Sequence, residues 1–322
     1  MSELLIKNGM VYTYIFEGFY AMKLHMADVY IKDGLIAEIG QDLSKNCEEL
    51  DATGCLVLPG MVNTGSNTFA ARITSGLLCD RRLAKPLLGP LMGLACEMLS
   101  EEEKHAVSVL GLWETIKSGT TAAAESYGNL KESLAPAMAR AAADLGLFLF
   151  ELPEGLFVES ATSCLYFGEQ YGGAGRVKAG EELTMGTGCF DSCMISEMRA
   201  VAASVKQQRG DVGAYKAKDV FFSATAKGGE LIDNKKFGRI DIGFFGNLSV
   251  VNMDRFAPLS YPLTQYVYGA NAGDVRHVVI DGNPVKRDHL PAEHLKETLE
   301  EADKTAKEAI LKFWAEARRR IL

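Results

Sequence analysis

Residues 56–68, LVLPGMVNTGSNT, constrain this chain of 322 residues more than any other stretch. An apolar, β-rich run at Cys55–Leu58 is broken by Pro59-Gly60 and resumes at Met61–Thr64. The spacing predicts one buried strand over 56–64. Its far end, Gly65-Ser66-Asn67-Thr68, is small and polar. In barrels of alternating strands and helices the catalytic groups stand at such C-terminal strand ends. What residues 65–68 can and cannot do therefore bounds the chemistry of the whole chain.

The pattern upstream is different. Residues 1–55 read as short strands: Glu3–Lys7, a tight turn at Asn8-Gly9, Met10–Phe16, then Ala27–Lys32 and Leu35–Gly40 about Asp33-Gly34. Asp51-Ala52-Thr53-Gly54 is a further turn, and the whole suggests a small β-sandwich. From about residue 56 the period changes. Ser100-Glu-Glu-Glu103 is a capping box that opens a helix to about Lys117, with Gly119 ending it. Thr120–Ser126 reads as a strand, a helix starting at Asn129 or Ser133 runs to Leu145 with Gly146 as its stop, and Leu147–Leu152 reads as the next strand. Such a strand–helix repeat predicts a parallel sheet or barrel. It fails across the glycine-rich residues 159–182. Leu183–Thr187 is again strand-like, and Ser192–Gln208 is helical. Residues 237–255 and 263–285 return to short strands and turns, including Asp281-Gly282. Pro291–Leu322 is amphipathic, with Leu295, Leu299, Ala302, Ala306, Ile310, Phe313 or Trp314, and Ala317 on one stripe.

Composition narrows the function classes. A net charge of −8 disfavours nucleic-acid and anionic-membrane partners. No apolar run approaches the ~20 residues that cross a bilayer. The first residues show no signal-peptide pattern, and seven irregularly spaced cysteines fit free thiols in a cytoplasmic protein.

Several ordered segments carry a family likeness. LLIKNGMVYT, ADVYIKDGLIAEIG and DATGCLVLPGMVNT, then ETIKSGTTAAAE, then FGRIDIGFFGNLSVVNMD and DVRHVVIDGNPVKRD, resemble the amidohydrolase superfamily in its chlorohydrolase and cytosine-deaminase-like branch. The resemblance implies a metal-binding (β/α)₈ barrel beside a β-sandwich built from both ends of the chain. In that family, strand one is followed by His-x-His, strands five and six each by a histidine, and strand eight by an aspartate. Here the strand-one positions are Gly65 and Asn67, and the strand-eight position is Gly188. A full barrel takes ~250 residues, whereas residues 56–235 number 180. The strands found resemble strands one, two, three and eight. His25, His105, His277, His289 and His294 follow none of them.

The expected architecture is therefore α/β. It comprises a truncated TIM-type barrel of about four strands (56–235), a composite β-sandwich (1–55 with 236–290) and a C-terminal helix (291–322). The expected function is that of a structural, regulatory or binding subunit whose zinc or iron site is lost. The alternative is a hydrolase or deaminase acting on cyclic C–N bonds of a small heterocycle, its ligands completed by another chain. Ser66, Glu125, Glu151, Cys189, Asp191 and Cys193 are candidates for a remnant pocket able to take such a heterocycle. Glu154 is a further carboxylate near a strand end. Cys189 and Cys193 on one helical face are weak candidates for a soft-metal or redox pair. Gly172-Gly173-Ala174-Gly175 with Arg176 lacks the context of a phosphate loop. Four strands would leave bare edges and an open apolar face. A homodimer, a hetero-oligomer with a related amidohydrolase, or residues 65–99 folding over that face would cover them.

Overall fold

The computed structural model describes residues 3–17, 19–74, 84–151, 158, 160, 161, 163, 184–232 and 236–321. Glu154 and the 172–176 glycine run lie outside the described residues. Nine strands form one sheet. They are β1 (Glu3–Glu17), β2 (Phe19–Lys32), β3 (Leu35–Gly40), β4 (Glu48–Asp51), β5 (Cys55–Pro59), β9 (Leu248–Asn252), β10 (Val275–Ile280), β11 (Asn283–Arg287) and β12 (Leu290–Pro291). The antiparallel pairing of β5 with β9, Cys55 opposite Asn252 through Pro59 opposite Leu248, joins the N-terminal strands to the C-terminal ones. Hydrogen bonds from Ile36 N to Phe244 O (2.8 Å) and Gly246 N to Gly34 O (2.7 Å) tie the β2–β3 turn and the start of β3 to residues 244–246. The sheet thus rolls around Leu4, Ile6, Val29, Ile31, Ile36, Val57, Val250 and Val279.

Two hairpin turns follow their sequence signals. Asp33-Gly34 and Asp281-Gly282 all have positive φ, the requirement of a two-residue turn that Asp-Gly meets without strain. Asn8-Gly9 does not turn. β1 runs through it as one strand with a bulge, because Asn8 (φ 62°) donates its backbone N–H to Asp28 Oδ1 at 2.8 Å. Gly9 is required there by contact: a Cβ would lie 2.4 Å from Val57 Cγ2.

The stretch that opened the sequence reading is two strands in two sheets. β5 ends at Pro59. Gly60 N still bonds Asn247 O in the first sheet (2.8 Å), and Met61 N already bonds Gly119 O in the second (3.0 Å). β6 (Met61–Ser66), β7 (Thr120–Glu125) and β8 (Phe148–Glu151) are parallel. Residues 184–188 lie along the free edge of β6, with Thr64 N on Met185 O and Gly188 N on Gly65 O, both 2.9 Å. The order across this second sheet is 184–188, β6, β7, β8.

Both faces of the second sheet are covered from within the chain. On one, α3 (Glu101–Lys117) and α4 (Lys131–Leu145) bury Met61, Ala123 and Leu147. The capping box of α3 is formed, with Ser100 N on Glu103 Oε2 at 2.8 Å and Glu103 N on Ser100 Oγ at 3.2 Å. On the other, Val62 and Ala122 meet Phe237, with Phe148, Phe150 and Phe245 packed around it. The Phe237 ring sits edge-on to Phe148 (4.9 Å) and Phe150 (5.5 Å). α7 (Ala226–Leu231) approaches so closely that a Cβ on Gly228 would lie 2.7 Å from Val62 Cβ.

This corrects the expected open face. Residues 226–232 and 236–245 cover it, on both sides of the boundary drawn at 236. The described parts of 65–99, α1 (Thr68–Thr74) and α2 (Ala84–Met98), pack instead with α3 and α9 (Glu293–Arg320). In α9 the buried stripe is Leu295, Leu299, Ala302, Ala306, Ala309, Phe313, Trp314 and Ala317, so Ala309 takes the place read for Ile310. Trp314 Nε1 donates to Ile73 O at 2.9 Å. The remaining helices are α5 (Met194–Arg209), α6 (Ala217–Ala224) and α8 (Pro262–Gly269), the last in a region read as strands.

Replacing Phe237 by Ala removes the side chain that closes this face. The expected loss is about 3–5 kcal/mol of unfolding free energy, measured by urea titration, with no change in oligomeric state by sedimentation.

Candidate functional site

The three positions that the resemblance assigns to metal ligands meet in space. Gly65 and Asn67 end β6, and Gly188 pairs with that end: Gly188 N bonds Gly65 O and Asn67 N bonds Gly188 O, both 2.9 Å. What surrounds them is not a cavity. A Cβ on Gly65 would stand 2.8 Å from Val158 Cβ and 3.0 Å from Val158 O. A Cβ on Gly188 would stand 2.1 Å from Ser163 Oγ and 2.8 Å from Ser160 Cβ, at a backbone φ of +67° that side chains rarely adopt. The Asn67 carboxamide oxygen accepts from Ala70 N (3.2 Å) and caps the first turn of α1. Among the described residues no group of three or more His, Cys, Asp or Glu stands together as a metal would require. The residues present do not fit a zinc or iron ion.

Two polar clusters occupy the strand ends. In the first, Glu125 at the end of β7 is 3% exposed. It accepts from the Ser66 hydroxyl, from Thr68 Oγ1 (2.7 Å) and from Thr68 N (3.2 Å). Burial raises its pKa above the usual carboxylate range, and the three donors only partly offset this. In the second, Asn63 within β6 reads the neighbouring strand: its Nδ2 donates to Thr187 Oγ1 (2.9 Å) and its Oδ1 accepts from Thr187 N (3.2 Å). Ser160 Oγ lies 3.0 Å from Thr187 O and 3.1 Å from Glu197 Oε2, and it accepts from Ser163 N at 3.0 Å. Ala161 N donates to Glu197 Oε1 at 2.6 Å. Glu197, on α5, is 1% exposed.

The remaining candidates separate. Glu151 is the register partner of Glu125, yet it is exposed and paired with Lys131 at 2.7 Å, so the two carboxylates do not share a pocket. Cys189 is buried, its backbone N donating to Ser163 Oγ (3.4 Å). Cys193 is the N-cap residue of α5, and its N–H donates to Asp191 Oδ1 at 3.0 Å. Cys189 precedes the helix, so the pair does not share a helical face. Burial raises the Asp191 pKa. Asp191 and Cys193 line a cleft of about 240 Å³ with Arg72, Glu114 and Phe190. The histidines lie elsewhere; His277 is buried in β10, and desolvation lowers its pKa to about 4.

Sequence reasoning missed Asn63, Thr68, Ser160, Thr187 and Glu197. Two carried a signal. Asn63 is a carboxamide in an otherwise apolar strand, and Glu197 falls between Met194 and Val201 on the buried stripe of its helix. Buried polar groups in such places need partners.

The fold is that of known proteins. The amidohydrolase family model matches residues 172–285. A 5'-deoxyadenosine deaminase of Methanosarcina acetivorans is 34% identical over 134 residues, 41% of this chain and 30% of that protein. A 5-methylthioadenosine/S-adenosylhomocysteine deaminase of Thermococcus sibiricus is 30% identical over 146 residues, 45% and 32% of the two chains. These matches span about a third of the relatives' length. A zinc-bound adenosine deaminase of Xanthomonas campestris superposes with a TM-score of 0.75 at 15% identity, covering 96% of this chain and 98% of that one. The zinc-complexed atrazine chlorohydrolase TrzN of Arthrobacter aurescens gives 0.74 at 15% identity, covering 95% and 100%. Over residues 172–285 the chain is similar to the amidohydrolase family, and its fold is that of these deaminase and chlorohydrolase structures.

The raised pKa of Glu125 has a definite sign. The folded state holds its proton at pH values where the unfolded carboxyl, near 4.5, has released it. Stability from this group is therefore lost as pH rises above about 4.5. Glu125→Gln keeps an acceptor without the charge, so its urea midpoint gains on that of the unaltered protein between pH 4 and pH 8.

Proposed function

We propose that this chain is an amidohydrolase-fold unit with a shortened barrel and a composite β-sandwich, whose metal centre is lost and whose role is structural, regulatory or ligand-binding. One observation carries the reading: the space into which ligands at 65 and 188 would project holds Val158, Ser160 and Ser163. Without imidazoles or a carboxylate there, no group lowers the pKa of a bound water toward 7. Glu125 does not substitute. It is 3% exposed and held by Ser66 and Thr68.

A second reading has its own support, and the relatives favour it. They are named deaminases of adenosine derivatives, and this chain aligns with about a third of their length. On that reading the chain is a hydrolase or deaminase of a small nitrogen heterocycle, with ligands supplied by another chain. The supplied ligands would have to displace Val158, which is why the first reading is preferred.

The partner proposal narrows with the fold. Both faces of the second sheet are covered, so association with a second copy or a related amidohydrolase would use an edge. Among the described residues β8 pairs only with β7, and its Phe148, Leu149 and Phe150 are half-buried.

Elemental analysis of the purified protein separates the two readings. The expected result is less than about 0.1 zinc or iron per chain and no chelator-sensitive release of ammonia from 5'-deoxyadenosine. Stoichiometric metal, lost together with activity on chelation, establishes the second reading instead.

A further inference from the structure

We infer that the vacated metal position is closed permanently by the chain itself, with Val158 as the plug and Glu197 as its anchor, so that this strand end neither takes up a metal nor admits a heterocycle. The inference rests on the reading that the metal is lost and adds what replaced it. Val158, Ser160, Ala161 and Ser163 are all buried. Val158 sits over Gly65, and Ser163 and Ser160 sit over Gly188. They are held by the shared Ser160 contacts to Thr187 O and Glu197, and by the 2.6 Å bond from Ala161 N to Glu197. The anchor lies on α5, the helix that follows the 184–188 segment. Glu197 thus fastens the plug to α5, and Ser160 Oγ links it to Thr187 O of the segment it covers. A ligand of zinc size would need both glycines to carry side chains and the plug to leave, and the second requires breaking every one of these buried bonds.

The steric claim is tested by a double-mutant cycle rather than by rebuilding the metal site, since a variant carrying three new ligands may not fold. Gly65 has no positive φ, so an alanine there is strained only by Val158. Gly65→Ala alone is expected to lower the thermal midpoint by about 5 °C. Added to Val158→Gly it is expected to lower the midpoint by clearly less, because the side-chain contacts at 2.8 and 3.2 Å are gone and only the 3.0 Å approach to the carbonyl of residue 158 remains. Glu197→Ala is expected to lose more than Glu197→Gln, which retains an acceptor for Ala161 N. Equal losses from Gly65→Ala in both backgrounds, or no loss in either, would overturn the plug. Metal content of the unaltered protein is read separately. A metal-free protein with an additive cycle removes this inference and leaves the proposed loss of metal standing. Stoichiometric metal removes both.

Discussion

The close approach of residues 184–188 to β6 is the constraint on which the rest of this molecule depends. A Cβ on Gly186 would stand 2.4 Å from Gly65 Cα, so the two backbones lie nearer than any side chain between them allows. Three backbone bonds of 2.9 Å, made by Thr64 N, Asn67 N and Gly188 N, join segments more than 120 residues apart in the chain. Because 184–188 is held there, α5 begins in the right place to send Glu197 back toward the same strand end. The chain then continues through α6 and α7 to lay Phe237 on the far face of the sheet. Glycine at 65 and 186 is thus a packing requirement, as well as the absence of a ligand.

Hydrogen bonds alone do not explain why this contact is stable. Each net bond contributes only about 1 kcal/mol, whereas a buried group left without a partner costs about 1–3 kcal/mol. The value of the Asn63–Thr187 and Ser160–Glu197 contacts is that few other registers of 184–188 satisfy all of them. A shift by one residue would turn Thr187 away from Asn63 and strand a carboxamide in the sheet. Glu125 shows the opposite situation. It has donors but no cation, and desolvation holds its proton on. The Ser66 and Thr68 donors favour the anion, and desolvation outweighs them.

Much of this was readable from the residues alone, for physical reasons. Local signals succeeded where the cause is local. The Ser100–Glu103 box, the Asp33-Gly34 and Asp281-Gly282 turns and the αL stop at Gly146 each depend on neighbours within four positions. Failures came where a distant contact overrides a local preference. Asn8-Gly9 is a good turn pair, but Asp28 captures the Asn8 N–H and Val57 presses on Gly9. Pro59-Gly60 looks like an interruption in one strand. The crossing between sheets is visible only once Asn247 and Gly119 take their places. At the site, Gly65, Asn67 and Gly188 were readable by type, since a glycine is a glycine wherever it lies. The residues packed over them were not. Ser160 and Glu197 are ordinary in sequence and acquire meaning only from what they touch.

That asymmetry bears on how a metal centre can disappear without loss of the fold. Removing two imidazoles and a carboxylate from strand ends would leave a hollow, and residual cavity volume costs about 24 cal/mol per Å³ on top of the lost contacts. A solvent-filled hollow would also leave Asn63 and the ends of β6 competing with water for their partners. Filling it with an apolar residue restores contact on one side, and Val158 does so against Gly65. The incoming turn brings new backbone N–H groups that must be paired, and Glu197 and the Ser160 hydroxyl accept those of Ala161 and Ser163. On the proposed reading, small residues at 65 and 188, Val158 over Gly65 and a buried acceptor on α5 belong together. A chain with any one of them alone would carry a cavity, a clash or an unsatisfied donor at the centre of its sheet.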